Sequence, residues 1–195
     1  MKKLEKFKLN EKKIIYFNFN YIFLNYYNYL KKILQNKKYG NLVSIFINSS
    51  HGLFFKSKKK LRGRFNNIDI YENIYGNLGI HYINLLIFLF ESVDLKYISL
   101  TSSNKMNFFD SVTIDAKLNN KINANIFLSY STIFSQSIKL YFNNAMIEFK
   151  DRKVIEYFPR DNFDKDGNFC EPKRKILKKN IHLTKKSIEN SVEYF

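Results

Sequence analysis

The segment FDSVTIDAKLNNKINANIFLSYS, residues 109–131, has the clearest pattern in the chain. In its first half Val112, Ile114 and Ala116 alternate with polar residues. The Asn-Asn pair that follows is typical of a tight hairpin turn, and a second alternating run comes after it. The segment therefore predicts two antiparallel strands with one apolar face and one mixed face.

Similar patterns extend to both sides of this hairpin. Short β-branched and aromatic runs separated by turn residues occur between residues 95 and 158, and another lies at 41–50. Residues 25–38 and 77–90 instead have apolar residues at helical spacing. A sheet that is apolar on one face needs cover on that face only. We therefore expect an α+β fold, an open and mostly antiparallel β-sheet with helices packed on one face.

The chain is expected to form one domain. Residues 1–12 are polar and charged, which predicts a disordered or frayed arm, and residues 13–195 are expected to form a single α+β domain around one core. A strand is predicted at 13–23, and loops at 51–73 and 159–179. The last residues have helical spacing, and the sequence stops inside that helix.

The net charge is +16, from 33 Lys and Arg residues against 17 Asp and Glu. Such a balance is typical of proteins that bind nucleic acid or anionic lipid. The positive charge is dispersed, however, and no recognition helix, zinc-ligand set or aromatic RNA-binding pattern accompanies it. Compositional drift toward Lys, Asn, Ile, Phe and Tyr explains the charge better. Nucleic acid is therefore not an expected partner, and no metal site is predicted.

Cysteine usage and hydropathy bear on the location of the protein. Cys170 is the single cysteine, so no internal disulfide is possible, which fits a reducing compartment. No apolar run reaches the roughly 20 residues of a membrane span. The sequence therefore predicts a cytoplasmic protein without a membrane partner.

The segment YGNLGIHYINLLIFLFES, residues 75–92, places polar residues at the start of an otherwise apolar helix. Asn77 is a favoured N-cap residue, and His81 follows one turn later on the same face. Near the positive end of the helix dipole, the imidazole is expected to stay neutral. Gly79 leaves room for a ligand or for another backbone. Two interpretations are open, a proton-transfer site or a capped buried helix whose histidine is satisfied by a core hydrogen bond.

Three segments resemble the Gfo/Idh/MocA oxidoreductases, in that family's order. GNLGIHYINLLIFLF is similar to a helix signature in which an amide or acidic residue precedes Gly-Ile-His and then Asp or Asn. FNFNYIFLNYYNYLKKILQNKKYGNLVSI, residues 17–45, resembles the passage F-N-x-x-F, helix and G-x-I/L-V-S that opens the family's second domain. Residues 109–131 resemble one of its hairpins. The resemblance covers residues 14–158 and points to the C-terminal domain.

The resemblance implies a division of work between two domains. A Rossmann domain binds NAD or NADP, and the second domain supplies the substrate pocket and often the dimer contact. The histidine that matches His81 moves the hydroxyl proton, which makes His81 the catalytic candidate. Asn77 and the Asn20 of the F-N passage are candidates for binding the substrate.

The basic residues 51–73 are expected to line the same pocket as Asn77 and His81, because long loops in compact domains are usually functional. Arg62 and Arg64 are the candidates for binding a phosphate or carboxylate of the substrate, since a guanidinium offers two donors at once. A solvated basic loop without a ligand is the other interpretation.

The sequence departs from the family ahead of residue 14. No G-x-G-x-x-G turn occurs there, so no cofactor-binding residue is assigned, and the chain alone is expected not to bind NAD or NADP. Lys6, in the motif EKF, lies too close to Asn20 to match the family's catalytic lysine. The sequence thus resembles a substrate domain that is truncated at both ends and lacks its cofactor-binding domain.

Three functions are compatible with these patterns. The first is the substrate-binding half of an NAD(P)-dependent oxidoreductase acting on a sugar or sugar nucleotide, inactive alone and completed by a Rossmann-domain subunit. The second is a non-catalytic binding or dimerisation module that forms a homo-oligomer through the open sheet face, where Tyr130, Thr132 and Tyr141 are predicted. The third is a basic nucleic-acid binder.

Overall fold

The computed structural model describes residues 25–52, 74–103, 109–158 and 162–181. The predicted arm at 1–12, the strand predicted at 13–23 and the final helix lie outside these ranges, so they remain predictions. Within them the helical elements are α1 (Asn25–Leu34), a 3₁₀ turn (Lys37–Tyr39), a π-helical turn (Tyr75–Gly79) and α2 (Ile80–Leu89).

Eight strands of the described ranges form one sheet. They are β1 (Leu42–Ser50), β2 (Val93–Thr101), β3 (Ser111–Leu118), β4 (Ile122–Ser129), β5 (Ser135–Phe142), β6 (Met146–Lys150), β7 (Lys153–Phe158) and β8 (Lys173–Lys179). Their order across the sheet is β2-β3-β4-β1-β5-β6-β7-β8. Neighbouring strands are antiparallel except β1 and β4, which are parallel. The predicted α+β class with a mostly antiparallel sheet is confirmed.

One face of the sheet carries the core, and both helices pack there. The strand registers place six buried residues in one row across the sheet: Ile114, Ile126, Ile47, Ile138, Phe149 and Val154. At the β6 end of this row, the Tyr26 ring of α1 lies 6.3 Å from the ring of Phe149. Near the β3 end, Gly79 approaches the side chain of Ile114. The predicted packing of the helices on a single face is thus confirmed.

The hairpin predicted between β3 and β4 is confirmed. Asn119 and Asn120 have φ angles of 48° and 59°, the left-handed conformation that asparagine tolerates better than most residues. The same geometry recurs at Asp151 and Arg152, which connect β6 to β7.

The loop predicted at 159–179 is wrong in its last part, where the chain forms β8. This strand reads KRKILKK and lies at the edge of the sheet, so most of its side chains are exposed. Lysine-rich edge strands give no apolar alternation, because their charges serve to block further strand pairing. The helix predicted at 25–38 also ends earlier, at Leu34, where a separate turn capped by Asn36 follows.

Gly40 is expected to be the glycine least tolerant of substitution in the described ranges. Its φ is +77°, and an added Cβ would lie 1.9 Å from Oδ1 of Asn143, which also accepts a hydrogen bond from the Asn41 amide. Gly40→Ala should lower the free energy of unfolding by more than about 2 kcal/mol. Gly167 is the matched control, because its φ is +80° but nothing lies within 4 Å of its added Cβ.

Gly167→Ala should therefore cost only the backbone term, roughly 1–2 kcal/mol. Urea unfolding of both variants measures the difference. Equal losses would show that the Gly40 turn relaxes around a methyl group.

Candidate functional site

The helix that carries the candidate residues starts earlier than predicted, and Asn77 is not its N-cap. Asn77 lies inside the π-helical turn Tyr75–Gly79, and the flanking residues Ile74 and Ile80 are both helical. An N-cap residue has an extended backbone, so a residue inside a helical turn cannot act as one. The N-cap assignment is therefore wrong, and Asn77→Ala carries no loss of a cap.

The π turn nevertheless places Asn77 and His81 on successive turns of one helix. Asn77 is exposed, and His81 is half-buried at the start of α2. Residues four apart share a helix face, as the sequence predicted. Single π turns inside α-helices are rare and frequently occur at functional sites.

Gly79 faces side chains of the core rather than a ligand. It is buried, and an added Cβ would meet side-chain atoms of Tyr75 at 3.4 Å, Ile114 at 3.5 Å and Leu128 at 3.7 Å. The space that the sequence assigned to a ligand or to a backbone is therefore filled by side chains of the core. Leu128 lies one residue before the end of β4, so the helix begins over that end of the sheet.

The environment of His81 keeps the imidazole neutral. Burial lowers its pKa below the ordinary value of 6.5. The neutral imidazole agrees with the sequence-based prediction, but burial rather than the helix dipole is the cause. His81 lies seven residues after Ile74, and the helix dipole acts only within the first turn. Desolvation of the imidazolium therefore explains the neutral form.

Mild acid is expected to destabilise the chain through His81. Because its pKa is lower in the folded state, the unfolded state binds the proton more readily. The stabilisation is complete above pH 6.5 and is lost as the pH falls toward the folded pKa. In His81→Gln, whose side chain does not titrate, Tm should therefore fall less over that window. Thermal melts between about pH 7.5 and pH 5 measure this. Parallel curves for both proteins would contradict it.

Tyr82 ties the same helix to the sheet. Its side chain is buried, and desolvation raises the pKa of the phenol against the opposing effect of hydrogen bonds to Ser49 and Gln136. Ser49 belongs to β1 and Gln136 to β5. The position of His81, the preceding residue, is thus fixed relative to the end of β1.

A buried carboxylate organises that end of the sheet. Asp110 is fully buried, and its Oδ2 accepts hydrogen bonds from the backbone N–H and the hydroxyl of Ser103, both at 2.9 Å. Its Oδ1 accepts from the Ser111 hydroxyl at 2.9 Å, and this hydroxyl lies 2.8 Å from Oγ of Ser129. The network joins the start of β3 to the end of β4.

The same network positions His51 and Tyr130. The backbone N–H of His51 donates to the carbonyl oxygen of Ser129 at 2.9 Å. The backbone N–H of Tyr130 donates to the carbonyl oxygen of Asp110 at 2.8 Å. The two side-chain rings stack with centroids 4.7 Å apart. Sequence reasoning placed Tyr130 on the open face, which is wrong, since it is buried in the core cluster. The pair depends on the parallel pairing of β1 with β4, which no local pattern reveals.

Several predicted site residues lie outside the described ranges. Asn20, Arg62 and Arg64 are among them, so their role stays a prediction. Within the described ranges, no group of three His, Cys, Asp or Glu side chains could hold a metal ion. No helix there is long and apolar enough to cross a membrane.

The open face of the sheet, opposite the helices, forms a second candidate surface. A groove of about 430 Å³ runs along it, and Phe46 and Phe127 line it with 46% and 40% of their surface exposed. Polar groups share the groove: Nδ2 of Asn125 donates to Asp115 at 2.6 Å, and Lys139 pairs with Glu148 at 3.7 Å. Its mixture of aromatic rings and charged groups is more typical of a face that contacts another protein surface than of one exposed to solvent.

Part of the chain is similar in sequence to a known dehydrogenase. Over 89 residues it is 34% identical to glucose-6-phosphate 3-dehydrogenase of Bacillus subtilis (strain 168), a match that covers 46% of this chain and 25% of that enzyme. No family model matches the sequence.

Solved structures show the same fold at low identity. An inositol dehydrogenase homolog from Azotobacter vinelandii in complex with NAD+ matches 90% of this chain and 46% of its own, with a TM-score of 0.64 and 12% identity. The fold is that of the Gfo/Idh/MocA oxidoreductases. An oxidoreductase from Agrobacterium radiobacter with NAD+, L-tartaric acid and magnesium matches 89% of this chain and 50% of its own, with a TM-score of 0.65 and 16% identity.

Levoglucosan dehydrogenase, in complex with NADH and levoglucosan, has a TM-score of 0.63 and 14% identity over 82% of this chain and 45% of its own. The chain thus spans about half the length of these Gfo/Idh/MocA structures. The resemblance found in the sequence is confirmed, and the partial coverage fits the family's C-terminal domain.

Proposed function

We propose that this chain is the substrate-binding half of an NAD(P)-dependent oxidoreductase that acts on a sugar or polyol. The observation that carries the proposal is a half-buried histidine held neutral, one turn after an asparagine, at the end of a Gfo/Idh/MocA sheet. Structural relatives contain NAD+ or NADH, and a curated relative is named for oxidation of glucose 6-phosphate.

His81 is proposed as the proton acceptor of the reaction. Oxidation of an alcohol removes a hydride from the carbon and a proton from the hydroxyl, and a neutral imidazole accepts that proton. The nicotinamide of NAD or NADP supplies the hydride acceptor when it is bound. Asn77 positions the substrate by donating from its amide nitrogen and accepting at its amide oxygen, which matches the donor and acceptor character of a hydroxyl.

The second wall of the proposed pocket is the stacked pair of His51 and Tyr130. His51 opens the segment 51–73 that was predicted to line the pocket, and it lies at the end of the sheet where the helix of His81 begins. Arg62 and Arg64, in the same segment, are proposed to bind a phosphate or carboxylate of the substrate. Asn20 is proposed as a further substrate contact.

The cofactor is proposed to bind to a separate Rossmann unit. A dinucleotide pyrophosphate needs a glycine-rich turn that leads from a strand into a helix N-terminus. No G-x-G-x-x-G motif occurs anywhere in this sequence. Calorimetry with the chain alone should therefore detect no binding of NAD+ or NADH, and micromolar binding would overturn this part of the proposal.

A chimera tests the function as a whole. The cofactor-binding portion of the Bacillus subtilis glucose-6-phosphate 3-dehydrogenase is fused to this chain in place of that enzyme's own substrate domain, with the junction in the F-N passage at residues 17–20. The fusion should bind NAD+ and reduce it in the presence of a sugar phosphate or polyol. The same two portions mixed without fusion, and each alone, are the controls.

The second candidate function is a dimerisation module, favoured by the open face. Phe46 and Phe127 are exposed beside charged groups in the groove, and exposed apolar surface of this kind favours association. Sedimentation equilibrium of the chain should show a dimer that Phe46→Lys dissociates. A chain that stays monomeric at high concentration would show that the open face does not pair with a second copy, and this would reject the candidate.

A further inference from the structure

Asn84 is an amide in the middle of an otherwise apolar helix. It lies in α2 between the buried residues Ile83 and Leu85, and its side chain is partly buried. Its Oδ1 is shielded from solvent and has no hydrogen-bond partner in the part of the chain that the structure describes. A buried carbonyl oxygen without a partner is costly, so its presence calls for a function.

The position of Asn84 relates it to His81. The two residues are three apart on one helix, so they share a face. Gly79, Tyr82 and Leu86 pack toward the sheet or the core, whereas His81 and Asn84 lie on the flank between these buried positions and solvent. An amide at this point therefore neighbours the imidazole rather than the sheet.

Side-chain direction favours a contact at one particular nitrogen. Side chains on a helix point back toward its N-terminus, over the preceding turn. The amide of Asn84 is thus directed toward the base of the His81 side chain, where Nδ1 lies nearer the backbone than Nε2. Nδ1 of His81, like Oδ1 of Asn84, is shielded from solvent.

We propose that Asn84 is a positioning residue for His81: its Oδ1 accepts a hydrogen bond from Nδ1–H and so fixes the neutral tautomer whose Nε2 carries the lone pair. Which nitrogen of a histidine holds the proton is set by the hydrogen bond that the other nitrogen leaves available. The role rests on the proposed function, since Nε2 would then be the atom that receives the proton of the substrate hydroxyl.

Nitrogen-15 NMR of the full chain tests this inference without any cofactor or substrate. The shifts of the two ring nitrogens, measured above the pKa of the imidazole, report which of them carries the proton. In the wild type, His81 should be mainly the Nδ1–H tautomer. Asn84→Leu, which keeps the branched shape of the side chain and removes the acceptor, should make the Nε2–H form the major one. Asn84→Asp keeps an acceptor and should preserve the Nδ1–H form.

The spectrum of His51 is the internal control, because it should be the same in all three proteins. A wild-type His81 that is mainly Nε2–H overturns the proposal, even if the Leu variant fails to fold. So does an unchanged tautomer in a folded Asn84→Leu variant. Since the readout is independent of turnover, an inactive chimera with the expected tautomers would reject the proposed function and leave the role of Asn84 intact.

Discussion

His81→Ala in the chimera is expected to lower kcat by about 10²–10⁴-fold, the range that a positioned general base contributes. The alanine removes the neutral imidazole that takes the hydroxyl proton, while hydride transfer and substrate binding keep their remaining contacts. Steady-state rates with saturating sugar and NAD+ measure the effect. Because His81 is only half-buried, the thermal melt of the variant should stay cooperative.

Phe46→Ala is the matched control for this variant. It also truncates a ring, but on the open face of the sheet, away from the helices, so kcat should stay close to that of the parent. If His81→Ala unfolds the domain while the rate per folded molecule is unchanged, His81 is a structural residue of the helix, and the capped-helix interpretation of the sequence is right.

Asp110→Ala is expected to be among the most destabilising single substitutions at this end of the sheet. It removes the shared acceptor of the Ser103 amide and hydroxyl and of the Ser111 hydroxyl, and it leaves a cavity where the carboxylate of Asp110 was fully buried. The loss should be about 2–4 kcal/mol, a fall in Tm of roughly 5–15 °C for a chain of this size. Chemical denaturation and thermal melts measure it.

Asp94→Ala is the control for this substitution. Asp94 is exposed and pairs with Lys96 at the surface, so its removal should cost less than about 0.5 kcal/mol. Similar losses in the two variants would mean that the hydrogen bonds of Asp110 are exchanged for water. Because the network holds His51 and Tyr130, the Asp110 variant should also change the imidazole resonances of His51.

The strands were predictable where one face of the sheet is buried and the other is not. Val112 and Ile114 alternate with Thr113 because β3 lies inside the sheet with helices on one side only. The same rule fails at β8, where the edge position calls for lysines on both sides of the strand. Local alternation therefore reports the central strands and misses this lysine-rich edge strand.

The pairing of Asn77 with His81 could be predicted from the sequence, but the backbone conformation and the contacts around the two residues could not. Asn77 and His81 share a helix face through spacing alone, which the sequence shows directly. The backbone conformation of Asn77 depends on where the helix starts, and two glycines allow it to start earlier, in a π turn. Contacts such as Asp110 with Ser103, or His51 with Tyr130, arise from loop closure and strand pairing, so no spacing in the sequence indicates them.

Formation of NADH by the chimera is the measurement that tests the substrate-half proposal most directly. We expect sugar- or polyol-dependent reduction of NAD+ by the fusion, none by either portion alone, and loss of the signal with His81→Ala. A fusion that melts cooperatively and binds NAD+, but fails to reduce it with any sugar phosphate or polyol, would contradict the proposed function. Reduction that persists at the parent rate in His81→Ala would contradict it equally.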